Sequence, residues 1–190
     1  VVYTFAGSPT LVTQIRQGAP ADVLATADVP NMNNAISNGS IAVRRTVPLN
    51  PVLFARNTMA IAMPKNNPAR IRTLQDLARP GVRVGMCAAG VPCGTNARLL
   101  LAKNGVSVTP VNLTTNVTQL LAQVQSGDLD AGIVFQTDVR SAQPSVASVL
   151  IPGANNVYSD YPIAVVNGAP NPVRRAAQFL RYPERPQASP

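Results

Sequence analysis

The stretch VRVGMCAAGVPCGTNARLLLAKNGVSVTPVNLTTNVTQLLAQVQSGDLDAGIVF (Val82–Phe135) carries the rhythm that decides the fold. It opens on an apolar run, Val82–Cys87, that reads as a strand. A Gly/Pro-rich turn follows. Gly94–Asn104 then has helical spacing, with Leu99, Leu100 and Ala102 expected to pack and Gly105 to end the helix. Val108–Leu113 reads as a strand, Thr115–Gln125 as a helix with Val117, Leu120, Leu121 and Val124 on one face, and Ala131–Phe135 as a third strand. Short apolar runs alternating with helices form the βαβ pattern of an α/β protein.

The same alternation runs outward in both directions. Val1–Phe5 reads as a strand, and Ser8-Pro9-Thr10 opens a helix with Ser8 as its cap and Pro9 as its first residue. That helix stops at Gly18-Ala-Pro20. Asp22–Thr26 reads as a strand and Val29–Asn38 as a helix ended by Gly39. Thr58–Met63 is a strand closed by Pro64, and Leu74–Ala78 a short helix before Pro80. Val146–Ile151 and Ile163–Val166 read as strands and Val173–Arg181 as a last helix. Tyr182–Pro190 holds three prolines and is expected to fray.

Composition narrows the function. The 190 residues are 46% hydrophobic and 13% charged, enough to build a core and unlike a disordered chain. The longest apolar runs are about five residues, too short for a spanning helix. Histidine is absent, so a His-based triad, a His general base and a His metal ligand are excluded, and an enzyme is not expected. The seven aspartates Asp22, Asp28, Asp76, Asp128, Asp130, Asp138 and Asp160 lie at no recognised metal-loop spacing and read as caps and turns. No resident metal or cofactor is implied.

Lys and Arg number 16 against 8 acids, a net charge of +8. That balance leaves open a basic module that binds nucleic acid or an anionic surface. The adjacent basic pairs are Arg44-Arg45 and Arg174-Arg175, and aromatics are 4%, sparse for base stacking. Cys87 and Cys93 are too few for a structural zinc site. Their C-x5-C spacing allows a local disulfide, which would mark an oxidising compartment, or two free thiols.

Three turns share one design: Phe5-Ala-Gly-Ser8-Pro, Gly90-Val-Pro-Cys93-Gly94-Thr95, and Leu113-Thr-Thr-Asn116-Val117. Each leads into a helix whose first N–H groups are unpaired and sit at the positive end of the helix dipole. If they converge, they make an anion site from neutral donors.

Those turns belong to a longer set of motifs: Phe5-Ala-Gly-Ser8 with Gln14-Ile15, QGAPADVLATAD (Gln17–Asp28), GVPCG (Gly90–Gly94), GDLDAGIVFQTD (Gly127–Asp138) and YPIAVV (Tyr161–Val166). In this order the chain resembles the molybdate-binding proteins of bacterial ABC importers. The resemblance implies a type II periplasmic-binding-protein fold, with two lobes, each a mixed sheet flanked by helices. It also implies lobe one at 1–57 plus 160–190, lobe two at 58–159, and crossing strands at about 58–63 and 161–166. Against the family pattern the chain begins after an opening strand–helix unit that carries a further ligand serine, and it ends before the family's last strand.

By the same resemblance Ser8 falls on a ligand serine, and Cys93 and Val117 on positions that bind molybdate or tungstate through backbone N–H. Phe135 stands where the family has a ligand tyrosine, so one hydroxyl donor is missing. An unreplaced donor costs about 1.5–3 kcal/mol, about ten- to a hundredfold in affinity. A site of donors without a carboxylate disfavours protonated phosphate, whose O–H finds no acceptor. The implied partners are the oxyanion and an importer permease, without nucleic acid, and the implied state is an extracytoplasmic monomer with any lipid anchor outside this stretch. A Cys87–Cys93 disulfide fits that location. A relative that has lost its ligand is the remaining alternative.

Overall fold

The structure, a computed structural model, describes residues 2–41 and 51–169. The chain divides into two compact units, Val1–Arg56 with Asp160–Pro190, and Asn57–Ser159. The division points fall inside two long strands, β2 (Val52–Pro64) and β7 (Tyr158–Val165).

In the first unit, α1 (Ser8–Arg16), β1 (Val23–Ala25) and α2 (Val29–Ser37) follow one another. β1 pairs antiparallel with β7, Leu24 opposite Ala164, and a single bridge joins Ile41 to Val166. Val12, Leu24, Met32, Ala35, Ile41, Ala164 and Val166 form the core. The pattern follows from the sequence: Val12 from α1 and Met32 and Ala35 from α2 reach the same small sheet. Asp28 caps α2, accepting from Asn31 N at 2.9 Å and from Asn31 Nδ2 at 2.8 Å.

The second unit contains β3 (Val84–Cys87), α3 (Pro92–Lys103), β4 (Asn112–Thr114), α4 (Val117–Ser126), β5 (Ala131–Phe135), α5 (Gln136–Ala142) and β6 (Val146–Leu150), with 3-10 turns at Gln75–Ala78 and Gly153–Asn155. Its sheet runs β6-β2-β5-β3-β4; β2 is antiparallel to β5 and β6, whereas β3 is parallel to β4 and β5. Ala131–Phe135 lies between two strands and is buried at every residue, as an uninterrupted apolar run demands. At Gly85 a Cβ would stand 2.7 Å from Leu120 of α4 and 2.3 Å from Leu129. The bare backbone lets that helix seat on the sheet.

Several elements differ from expectation. Residues 2–7 form no strand: Val2 and Phe5 are exposed, and the Tyr3 and Phe5 rings stack on each other instead. Val1 lies outside the described residues. The helix cap is Gly7, and Ser8 is the first helical residue, its oxygen engaged elsewhere. The Val108–Leu113 strand shrinks to Asn112–Thr114, since Pro110 offers no N–H to a ladder. Leu99 is exposed, and Leu101 packs together with Leu100. Helix α5 was not foreseen, because it buries only Val139 and shows no apolar period. The Val173–Arg181 helix and the proline tail lie outside the described residues. Among the described residues no helix is long and apolar enough to cross a membrane.

The expected disulfide is also overturned. Cys87 and Cys93 are free, buried thiols. Each sulfur has its own polar partner: Cys93 Sγ donates to Ile133 O at 3.3 Å, and Thr114 Oγ1 lies 3.8 Å from Cys87 Sγ.

Candidate functional site

In the first unit the candidate residue is Ser8. Its Oγ accepts from Ala27 N at 3.0 Å, which joins the start of α1 to the turn between β1 and α2. One acceptor lone pair is occupied, and the hydroxyl proton is there to donate. Ser8 is also at the first position of its helix, where the backbone N–H has no intrahelical acceptor. The turn is stiffened by Thr26 Oγ1, which donates to Asp28 O at 2.7 Å.

In the second unit, parallel pairing puts the C-terminal ends of β3, β4 and β5 at one end of the sheet. The helices α3, α4 and α5 start from those ends. Cys93, Val117 and Phe135 are therefore gathered at the carboxyl ends of neighbouring strands, the place where open α/β sheets bind ligands. Cys93 is the second residue of α3 and Val117 the first of α4. Asn116 caps α4 by accepting from Gln119 N at 3.0 Å, which leaves the Val117 N–H pointing out of the helix end.

Three contacts fix the start of α3. Cys93 Sγ ties it to β5 through Ile133 O. At Gly94, a Cβ would lie 2.1 Å from Ala88 O and 2.4 Å from Cys87 O, so only glycine permits this approach to the end of β3. Arg98 Nη1 donates to Gly94 O at 2.9 Å and to Cys87 O at 3.2 Å. The thiols interact: their mutual hydrogen bond and burial push the Cys93 thiol well above its ordinary range, whereas the same bond lowers Cys87. Cys93 therefore keeps its proton, and its side chain is engaged within the protein.

Phe135 is buried at the end of β5, and its N donates to Asp138 Oδ2 at 3.1 Å. Burial pushes the Asp138 carboxyl up to about 6, against the lowering effect of that bond. Asp138 and Arg98 are charged groups that reach this end of the sheet; the sequence reads Asp138 as a cap or turn residue, which it is, and gives Arg98 no role. The signal for Asp138 was its place three residues beyond the strand end, a helix-capping position. Arg98 had no local signal.

Two cavities lie elsewhere. One of about 410 Å³ in the first unit is lined by Arg16, Asn38, Ser40 and Asn167 among others. One of about 360 Å³ in the second is lined by Met86, Arg98, Leu101, Val106 and Val108. Neither includes Ser8, Cys93, Val117 or Phe135. No group of three or more acids or cysteines suited to a cation occurs among the described residues.

The fold is that of the periplasmic binding proteins. The periplasmic molybdate-binding protein of Azotobacter vinelandii matches with a TM-score of 0.78 at 19% identity, over 98% of this chain and 81% of that one. The sulfate-binding protein SubI of Mycobacterium tuberculosis matches at 0.71 and 18% identity, over 95% and 69%. At such identities these likenesses speak for the fold alone. In sequence, the molybdate-binding protein of Mycobacterium tuberculosis is 39% identical over 180 residues, which is 95% of this chain and 66% of the relative. The chain thus spans about two thirds of that relative's length. The bacterial extracellular solute-binding protein family model matches residues 1–189, and the chain belongs to that family.

Proposed function

We propose that this chain captures a tetrahedral oxyanion, molybdate or tungstate, outside the cytoplasmic membrane and delivers it to an ABC importer permease. The observation that carries this reading is the gathering of helix starts at Cys93 and Val117 at the carboxyl ends of the parallel strands β3, β4 and β5; the first unit separately offers the donor hydroxyl of Ser8. Its support from relatives is the 39% identity to a molybdate-binding protein.

The chemistry suits a fully deprotonated dianion, since the backbone N–H groups of Cys93 and Val117 only donate and the Ser8 hydroxyl, already accepting from Ala27 N, has its proton to give. A protonated phosphate would bring an O–H that needs an acceptor. Of the site residues, none carries a charge of its own, so release needs no ion pair to be broken. No side chain near these helix starts pairs a nucleophile with a histidine base, because the chain has no histidine.

Calorimetric titration with molybdate, tungstate, sulfate and phosphate tests the reading. The expected order places the two larger dianions first and phosphate last. Heat signals absent for all four would refute it. Binding to DNA that weakens steeply with salt would favour instead a basic module acting through the +8 charge.

A further inference from the structure

We infer that Arg98 contributes to the charge selectivity of the oxyanion site, as a positioning residue that holds the start of α3 and places a cation, held in no direct ion pair among the described residues, behind that site. This rests on the oxyanion reading above and adds to it a preference for dianions over monoanions of the same shape.

Arg98 bridges the seam between β3 and α3. A single guanidinium nitrogen donates to Cys87 O at the end of the strand and to Gly94 O in the first turn of the helix. The seam is tight, as the space for a Gly94 Cβ is taken by Cys87 O and Ala88 O. Loosening it would let the turn from Ala88 to Pro92 move, and with it the direction of the Cys93 N–H.

The bridge also brings in a charge. The ion pairs among the described residues join Arg56 to Asp160, Arg79 to Asp76 and Arg83 to Asp130; none involves Arg98. Arg98 is half-buried, and its cation lowers the Cys87 thiol against a larger raising effect of the Asp138 carboxylate, so charges of both signs reach the base of the α3 start and Arg98 supplies the positive one. Hydrogen-bond donors grip tetrahedral anions of one or two charges with the same number of bonds. A fixed cation behind them does not treat the two alike, because its Coulomb attraction doubles with the ligand's charge.

The test compares molybdate with perrhenate, a tetrahedral monoanion of similar size, on the whole chain. Arg98→Gln keeps an amide donor for the two carbonyls and removes the charge; Arg98→Lys keeps the charge and loses the bridging geometry. Wild-type protein is expected to prefer molybdate. Arg98→Gln is expected to weaken molybdate about tenfold and perrhenate about threefold or less, which shrinks the preference, and Arg98→Lys to restore it. Equal weakening of both anions in Arg98→Gln, or no weakening of either, overturns the proposal. Should Arg98→Gln fail to fold, Arg98→Lys decides: a molybdate-to-perrhenate ratio within about threefold of wild type supports it, and a lower ratio overturns it. Wild-type protein that binds neither anion refutes the oxyanion reading itself, before any variant is made.

Discussion

Asp138 Oδ2 accepts a hydrogen bond from Phe135 N at 3.1 Å, across the junction where β5 ends and α5 begins. The carboxylate caps the helix that follows, yet burial holds its pKa at about 6. The native state therefore keeps its proton where the unfolded chain, near the ordinary 3.8, has lost it. A raised carboxyl pKa means that folding takes up a proton between these values, so stability falls as pH rises from about 4 through about 6 and is level above. The full penalty at neutral pH is about 3 kcal/mol. Asp138→Asn keeps an oxygen for the Phe135 N–H and removes the ionisation. It is expected to be more stable than wild type at pH 8, with about 2 kcal/mol of that gain gone at pH 4.5. Urea unfolding at the two pH values checks this; a gain that does not change with pH refutes it.

A second consequence concerns Gly94. An added methyl would fall on Ala88 O and Cys87 O, backbone atoms that cannot rotate away. Gly94→Ala is expected to destabilise the second unit by about 2–3 kcal/mol. Because the relief must move the start of α3, oxyanion affinity should fall together with stability. Denaturant unfolding and calorimetry on the same variant check both.

Much of this architecture was legible in the sequence, and the failures have local physical causes. Ala131–Phe135 was read with its observed bounds because a fully buried strand is apolar throughout. Asp28 reads as a helix cap and is one. The helix at Gln136–Ala142 escaped because most of its surface faces water and one buried valine makes no period. Val2–Phe5 has strand composition, but composition does not supply a pairing partner. The cysteine spacing allowed a disulfide and equally allowed two free thiols, which is what the structure has. The placement of Cys93, Val117 and Phe135 at one sheet end depends on β3 lying between β4 and β5, an order no local pattern contains. Arg98 acts through the carbonyl of a residue eleven positions earlier, a contact visible only in three dimensions.

Ser8 gives a prediction in the first unit. Ser8→Ala removes the oxygen to which Ala27 N donates and, with it, the hydroxyl offered to the anion. A lost neutral bond costs the fold about 1 kcal/mol. A lost donor to a charged ligand costs about 1.5–3 kcal/mol of binding. Oxyanion affinity is thus expected to drop about ten- to a hundredfold while the unfolding midpoint moves little. A large fall in stability with unchanged affinity would show that Ser8 serves the turn alone.

The last prediction restores a hydroxyl. Phe135 ends β5 beside the starts of α3 and α4, buried, with a ring that has no donor. Phe135→Tyr adds one O–H at the ring's far edge. If that edge faces the anion, the new bond to a charged acceptor contributes about 1.5–3 kcal/mol, and affinity for molybdate rises about tenfold or more. If the edge lies in the apolar core, the hydroxyl is buried without a partner and stability falls by about 1–3 kcal/mol with no gain in binding. The expected outcome is tighter binding at nearly constant stability, because the strand's C-terminal end is where the helix donors collect. Calorimetry and thermal unfolding of the single variant separate the two cases, since each moves one readout and leaves the other in place.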